Sequence, residues 1–450
     1  RGGAAGFEFA AQFADIGAHG GFDMVIGNPP WVRLHRIDSS ERVRLRERFV
    51  VYRDAAWRSG ALAAGAGSGF AAQVDLAALF VERSLALARD GGTVSLLVPA
   101  KLWRSLAGGG VRSLLSRTTQ LHLLEDWSEA RATFDAAVYP SLVVATRGVP
   151  DRRAPVAVAE HHRDQVLRWC VASEDLPFDD SPGAPWLWLP SDPRAGFDAI
   201  RSVGVPLADR ESLRPRLGVK CGYNEAFIPD AATTRAIEPA LLRPLLRGDG
   251  VTAWRIQPPG EQIIFTHDKY LRAVRELPSS ARRWLTRHRV RLAARSDCRG
   301  RIPWWSLFRV EAADSRVARV VWADLSKSPR AAVLPPGDTT VPLNTCYVVR
   351  TQSLDDAHAL AAWLNSPLAA AWLAALAEPA RGGFRRLLGW TVALLPIPRD
   401  WERAVALLAP LGVRGAKGDV PAREELLDAC LEAFGTSRIS VESLLTWGHR

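Results

Sequence analysis

Short apolar runs separated by helical stretches mark the first third of the chain. Residues 22–26 form an apolar run that ends at Gly27, which is typical of a buried central strand in a parallel sheet. Similar runs predict strands at residues 93–98, 121–124 and 141–146. Strands that alternate with helices predict a doubly wound α/β sheet, whose ligands lie beyond the carboxyl ends of the strands.

A helix is predicted between the first two of these strands. In DLAALFVERSLALAR, residues 75–89, the apolar positions recur at helical spacing, with Asp75 at the start and Asp90-Gly91-Gly92 as the stop. Phe80 lies on the apolar stripe, so the pattern predicts that its side chain is buried. The segment between Trp31 and Asp75 is polar and ends in glycines, which predicts a long loop.

Beyond residue 150 the pattern changes. Residues 1–150 form the predicted sheet domain, and residues 151–205, rich in proline and charge, are interpreted as a connector that partly packs. Residues 206–400 predict a second, α+β domain, and residues 401–450 a helical C-terminal tail. Within the second domain the expected elements are strands at 262–265, 319–322 and 346–350, an arginine-rich helical stretch at 271–295 and a helical stretch at 354–376.

The net positive charge of the chain favours a polyanionic partner. The 450 residues carry a net charge of +10 and an isoelectric point near 9.9, with arginine the dominant cation. The five cysteines show no CxxC pair and no histidine at ligand spacing, which favours neither a zinc site nor a disulfide framework and fits a cytoplasmic protein. No run approaches the roughly 18 apolar residues of a membrane span.

The first predicted strand is followed, after Gly27, by Asn28-Pro29-Pro30-Trp31. Because the prolines fix φ and remove N–H donors, the Asn28 side-chain oxygen and the Pro29 carbonyl can both face outward as free acceptors. Two converging acceptors suit an NH₂ group such as the amine of adenine, and would stabilise the positive charge that develops on it during methyl transfer. Trp31 offers a face on which the ring can stack. A plain turn after a core strand is the structural alternative.

The sequence around this motif resembles a known family. GFDMVIGNPPWVRL is similar to the Asn-Pro-Pro-aromatic motif of amino-methyltransferases that use S-adenosylmethionine. DLAALFVERSLALARDGGTVSLLVPAKLWRS and ATFDAAVYPSLVVATR resemble the C-terminal half of the catalytic domain in gamma-class, Taq-type adenine-specific DNA methyltransferases of restriction-modification systems. The resemblance implies a class I methyltransferase sheet in which Phe134 packs against a flipped adenine and Phe80 lines the adenine pocket of the cofactor. Both phenylalanines could instead belong to the core.

The second domain extends this resemblance to about residues 22–398. LGVKCGYNEAF, LLRPLLRGDGVTAW, LTRHRVRLAARSD, IPWWSL, LNTCYVVR, AAWLNSPLAAAWL and VALLPIP are similar, in this order, to a Taq-type target-recognition domain, which implies double-stranded DNA as the partner. Eight arginines are predicted to contact phosphates, although the first five could form a solvated helix face: Arg282, Arg283, Arg287, Arg289, Arg291, Arg381, Arg385 and Arg386.

One departure from the family pattern bears on activity. The glycine motif and the acidic residue that bind S-adenosylmethionine normally lie far upstream of the Asn-Pro-Pro element, but only 27 residues precede Asn28. We therefore expect a fragment that binds the cofactor weakly or not at all alone, with an upstream methylase or nuclease region or subunit as a partner. Methyl transfer needs no metal. The alternatives are methylation of a protein glutamine or a guanine amine, and a DNA-recognition module without catalysis.

Overall fold

The structure is a computed structural model that describes residues 12–33, 37–54, 56–63, 74–130, 139–298 and 302–448. The chain divides into two compact units, which we describe separately. The first consists of Arg1–Arg194 with Glu378–Phe384, and the second of Ala195–Ala377 with Arg385–Arg450.

A mixed six-stranded sheet organises the first unit, which confirms the predicted α/β fold. Its strand order is β1-β2-β4-β3-β5-β6, with β1 parallel to β2, β3 parallel to β5 and the other pairs antiparallel. The elements up to residue 172 are α1 (Ala14–Ala18), β1 (Phe22–Gly27), α2 (Ser39–Arg48), α3 (Val50–Arg53), α4 (Arg58–Ala63), α5 (Leu76–Leu87), β2 (Ala88–Pro99), α6 (Lys101–Arg104), α7 (Gly109–Thr118), β3 (Thr119–Asp126), β4 (Pro140–Arg147), β5 (Pro155–His161) and β6 (Val166–Ala172).

The four predicted strands of this region all form, but their arrangement differs in one respect. The run at residues 22–26 was expected to be a central strand, whereas β1 is the edge strand of the sheet in the described residues. In the described residues only β2 pairs with β1, so the central position expected from the apolar run is not observed there.

Residues 151–205, interpreted from the sequence as a connector, contribute two strands to the same sheet. β5 pairs in parallel with β3, and β6 closes the far edge by pairing with β5. The two strands carry charged and exposed positions, which lowered their apolar signal. The first compact unit accordingly runs to Arg194 rather than ending near residue 150.

A buried arginine fixes the segment that follows β6. Arg112 of α7 is fully buried, and its guanidinium donates to the carbonyls of Gly183 (2.7 Å), Ala184 (2.8 Å) and Leu102 (2.5 Å). Burial lowers the pKa of Arg112 to about 9, so the group stays charged at neutral pH. The indole rings of Trp103 and Trp186 stack beside it at 5.2 Å. These contacts hold residues 183–186 against the core of the unit.

The second unit is α+β and has its own core. One antiparallel sheet has the order β13-β11-β15-β8. A mixed sheet has the order β10-β9-β14, with β9 antiparallel to β10 and parallel to β14. The elements from residue 191 onward are α8 (Ser191–Val203), β7 (Gly204–Pro206), β8 (Arg216–Leu217), α9 (Asn224–Phe227), α10 (Ala231–Ala236), β9 (Leu242–Leu246), β10 (Glu261–Ile264), α11 (Ser279–Thr286), α12 (Arg289–Ala293), β11 (Arg319–Ala323), β12 (Leu325–Ser326), β13 (Ala331–Leu334), β14 (Val341–Pro342), β15 (Cys346–Arg350), α13 (Leu354–Leu364), α14 (Pro367–Leu376), β16 (Glu378–Ala380), β17 (Phe384–Arg386), α15 (Gly389–Ala393), β18 (Pro396–Pro398), α16 (Trp401–Lys417), α17 (Arg423–Phe434) and α18 (Glu442–Trp447).

The helical stretch expected at residues 354–376 is two helices that meet at 66°. Ser366 caps α14 by accepting from the Ala369 N–H at 3.1 Å, and Pro367 cannot continue the preceding helix. Both helices are mostly buried, and Gly412 of α16 approaches α13 so closely that a Cβ would lie 2.1 Å from the His358 oxygen. In the described part of the chain no single helix is long and apolar enough to cross a membrane.

Acid should destabilise the second unit through His267. Its side chain is buried, its Nδ1 has no hydrogen-bond partner in the described residues, and burial lowers its pKa to about 4. Because the unfolded chain takes up this proton near pH 6.5, stability should fall as the pH drops from 6.5 towards 4, by about 3 kcal/mol. We expect the free energy of unfolding, measured with urea between pH 7 and 4.5, to show this loss. The His267→Gln variant should lack the part of this pH dependence that His267 causes. An unchanged slope in the variant would contradict the assignment.

Candidate functional site

The Asn28–Trp31 segment follows β1 at the carboxyl edge of the sheet. Asn28 is exposed, and neither its side chain nor the Pro29 carbonyl makes a hydrogen bond with any described residue. Pro29 is buried and Pro30 exposed. Trp31 is half-buried, with an indole nitrogen that is buried and has no partner in the described part of the chain. The described part of the chain therefore leaves both oxygens of the motif unengaged.

The start of α5 fixes the segment just after the motif. The Leu76 N–H donates to the Val32 carbonyl at 2.8 Å, and Arg33 forms a β-bridge with Asp75. Asp75 is 3% exposed, accepts from the Ala77 N–H at 3.1 Å as the helix cap, and pairs with Lys101 Nζ at 2.8 Å. A buried, charged cap of this kind restricts the motif because both of its partners lie on rigid elements.

One face of the sheet near the motif lacks a cover in the described residues. Val25 packs against the core, but Met24 and Ile26, which alternate to the opposite face, are 58% and 73% exposed. Leu97 of β2 continues this half-buried face. Phe80, predicted from the helical stripe to be buried, is 42% exposed on α5. That expectation was wrong because Leu79 and Val81 lie on the buried face of α5, whereas Phe80 lies at the margin of that face.

Other polar groups gather at the same carboxyl edge, after β3 and β5. The His161 ring stacks on Trp127 at 4.1 Å, and its Nε2 lies 3.2 Å from Glu125, which also accepts from the Trp127 indole N–H. His161 and His162 were expected to be plain surface residues, but both are half-buried. The Glu160 carboxylate, 3.9 Å from the His162 Nε2, raises the pKa of His162.

Glu129, which lies just before the segment that contains Phe134, binds two consecutive glycines. Glu129 accepts from the N–H groups of Gly382 and Gly383 at 3.2 and 3.1 Å, and both glycines have positive φ. A cavity of about 330 Å³ opens beside Glu129 and His162. Phe134, expected to contact the base, lies outside the described residues. In the part of the chain that is described, no group of three or more His, Cys, Asp and Glu side chains could hold a metal ion.

The five predicted phosphate-contacting arginines of α11, α12 and their linker share one environment. None forms an ion pair in the described residues, all are exposed, and three lie over aromatic rings: Arg287 over Trp284, Arg289 over Trp304 and Arg291 over Tyr223, at 5.2–5.8 Å. The full set on α11, α12 and their linker is Arg282, Arg283, Arg287, Arg289 and Arg291. Uncompensated cations beside aromatic rings are the groups that contact a polyanion.

Arg295 and the arginines near residue 381 differ from this set. Arg295, in the same arginine-rich stretch, is buried and donates to the Trp304 carbonyl at 2.6 Å, so it supports the core rather than a surface. Arg381 and Arg386 are exposed, and Arg385 is half-buried. Arg386 and Arg385 lie on β17, which pairs with β12.

Sequence reasoning missed Lys101, Glu129 and Trp127. Each follows a strand at the carboxyl edge, which is the available signal, but none belongs to a motif that assigns it chemistry. Their partners lie far away in the chain: Asp75 for Lys101, Gly382 for Glu129 and His161 for Trp127.

Comparison with known proteins places this geometry in a family context. Residues 2–134 match the model of the Eco57I restriction-modification methylase family. The type II methyltransferase M.PaeR7I of Pseudomonas aeruginosa is 26% identical over 421 residues, covering 90% of this chain and 69% of that protein. The chain is a relative of the restriction-modification methyltransferases. A second type II methyltransferase, M.XhoI of Xanthomonas vasicola, is 22% identical over 85% of this chain and 69% of its own.

One solved structure has the same fold over most of this chain. The type IIL restriction-modification enzyme MmeI, in complex with DNA, superimposes with a TM-score of 0.59, at 11% identity, over 94% of this chain and 56% of that chain. The chain therefore spans just over two thirds of its two curated relatives and little more than half of MmeI. The predicted resemblance to restriction-modification methyltransferases and the α/β fold class are confirmed, whereas the adenine-specific, gamma-class assignment stays a prediction.

Proposed function

We propose that the chain is the base-handling and sequence-recognition part of an adenine-specific DNA methyltransferase of a restriction-modification or related phage-defence system. The observation that carries the proposal is the pair of free acceptors at the carboxyl edge, the Asn28 side-chain oxygen and the Pro29 carbonyl. The family match over residues 2–134 supports it. Its setting would be the cytoplasm, where the DNA lies.

The two acceptors define the chemistry of this edge. The amine of a flipped adenine has two N–H donors, one for Asn28 Oδ1 and one for the Pro29 carbonyl. Both oxygens stabilise the positive charge that grows on the nitrogen as it forms its bond to the methyl carbon. Pro30 keeps the turn rigid, while Trp31 and Phe134 hold the ring between them. As the N–C bond forms, the bond between the methyl carbon and the sulfur of the methyl donor would break and leave a neutral thioether, and the methylated nitrogen would then lose one proton to solvent and become neutral.

The cofactor is S-adenosylmethionine, which supplies the methyl group when bound. Of the residues expected to hold it, Phe80 lies in this chain, and its 42% exposed ring fits a role in lining a pocket. In the described residues the face at Met24 and Ile26 is uncovered and β1 pairs on one side only, which fits a further part of the catalytic domain that pairs there. We infer that this further part carries the glycine motif, and that the chain alone binds the cofactor weakly or not at all.

Double-stranded DNA is the proposed partner of the second unit. The five exposed arginines of α11, α12 and their linker lack acidic partners in the described residues and would contact phosphates. MmeI is described in complex with DNA, and it shares the fold of this chain. The alternative is a recognition module without catalysis, because the relatives extend beyond the region that this chain matches.

Sequencing that detects modified bases tests the proposed function in the host. We expect one sequence motif to carry N6-methyladenine when the gene is intact and to lose it when the gene is deleted. Restoring the complete gene should restore the mark. A genome with the same modified adenines in both strains would contradict methyl transfer and favour the recognition module, provided that the protein still binds duplex DNA.

A further inference from the structure

We propose that residues 267–273 form a rigid DNA-contacting hairpin, in which Tyr270 enters a groove of the duplex and Lys269, Arg272 and Arg316 contact the flanking phosphates. The proposal deepens the proposed function and rests on it, since it names further DNA-contacting residues of the same protein. The sequence assigns no role to this segment, and its end was expected to begin a helix.

The backbone of the hairpin is fixed by one carboxylate. Asp268 accepts from the N–H groups of Tyr270 and Arg272 at 2.8 and 2.9 Å, and its own N–H donates to the Arg272 carbonyl at 2.8 Å. His267 pairs with Ala273 across the base of the turn. Leu271 adopts a φ of 64°, a left-handed conformation that such a residue takes only when its surroundings impose it.

The tip presents an aromatic ring to solvent. Tyr270 is 54% exposed, although a free tyrosine on a rigid turn gains nothing for the fold from its exposed ring. Three cations surround the ring, with Lys269 Nζ 5.1 Å, Arg316 Cζ 5.8 Å and Arg272 Cζ 6.0 Å from its centre. The ring is therefore held within a positively charged rim.

The three cations of this rim differ in how the protein holds them. Arg316 makes two hydrogen bonds, at 2.8 and 3.0 Å, to Asp314, whose carboxylate is buried. Lys269 and Arg272 are exposed and form no ion pair in the described residues. Arg316 is positioned by Asp314. The hydrogen bond from the Arg272 N–H and the nearby charge of its guanidinium lower the pKa of Asp268, so the hairpin carries one negative charge among its three cations.

Duplex DNA matches this arrangement better than a protein surface does. The projecting Tyr270 ring, with its hydroxyl group, can contact base edges in a groove. The basic neighbours can contact the phosphates of the two strands that flank the groove. A protein partner would need a carboxylate-rich, concave surface with the same spacing. Binding of an acidic protein without any effect on DNA is therefore the outcome that would replace this proposal.

Binding measurements with the complete protein test the hairpin. Fluorescence anisotropy would use a duplex that carries the methylated motif found in the host, and a scrambled duplex, over a range of salt concentrations. We expect Tyr270→Ala to weaken binding of the motif duplex by roughly tenfold or more and to leave the scrambled duplex within about twofold. The double variant Lys269→Ala/Arg272→Ala should weaken both duplexes alike and lower the salt slope by about 2.

Two exposed positions of the second unit provide matched controls. Ile439 is 90% exposed, and Ile439→Ala should leave all affinities unchanged, as should removal of an exposed charge in Lys417→Ala. If the hairpin variants bind both duplexes like the unmodified protein while methyl transfer persists, the hairpin proposal is wrong and the proposed function stands. If the unmodified protein binds neither duplex, both are wrong.

Discussion

Replacing Asn28 by alanine should abolish methyl transfer by the complete protein. The exposed side-chain oxygen has no partner in the described residues, so its loss should leave the fold intact and remove one of two acceptors for the amine. Removing one such preorganised group lowers the turnover rate by about 10²–10³. The measurement is transfer of labelled methyl from S-adenosylmethionine to duplex DNA, with affinity for DNA measured in parallel.

The matched control for this change is Asn344→Ala. Asn344 is also an exposed asparagine, but it lies in the second unit and makes no hydrogen bond in the described residues. We expect its replacement to leave transfer unchanged, and Asn28→Ala to leave DNA affinity within about twofold. Transfer at the unmodified rate in Asn28→Ala would remove Asn28 from the mechanism.

Replacing Arg112 by alanine should cost the fold about 3 kcal/mol or more. The change leaves the carbonyls of Gly183, Ala184 and Leu102 without their donor and opens a cavity in the core. Removing the buried charge offsets part of this loss. All three guanidinium nitrogens donate to carbonyls, so the unpaired acceptors left behind cost more than the removed charge returns. Urea unfolding of the whole chain, followed by tryptophan fluorescence, measures the change.

Arg117 of the same helix supplies the control. Its side chain is exposed and donates only to the Ser113 carbonyl within its own helix, at 3.0 Å. We expect Arg117→Ala to change the free energy of unfolding by no more than about 0.5 kcal/mol. Equal losses in the two variants would show that Arg112 has no special role in the first unit.

The fold was predictable where local pattern decides it. The apolar run at residues 22–26 and the helix capped by Asp75 follow from periodicity and capping, and both lie within about two residues of β1 and α5. The edge position of β1 was not predictable, because the pattern within a strand does not report how many partners it has. Residues 155–172 were missed because β5 and the edge strand β6 both carry polar positions, which dilute the apolar signal.

The candidate site was predictable only in its contiguous part. Asn28 to Trp31 form a motif, so chemistry could be assigned to them from sequence. Glu129, which meets Gly382 and Gly383, and the hairpin around Tyr270 depend on contacts between distant residues or on backbone geometry imposed by Asp268. The 42% exposure of Phe80 could not be anticipated either, because helical spacing identifies the apolar positions of a helix but not which of them other elements cover.

The central claim is that the Asn28 side-chain oxygen and the Pro29 carbonyl hold the amine of an extruded adenine. An experimental structure of the complete protein on a duplex that carries its methylated motif measures this directly. We predict a target adenine outside the helix, with its amino nitrogen about 2.7–3.2 Å from both oxygens. A target base that stays stacked in the duplex, or an Asn28 side chain bonded to the protein instead, would contradict the account.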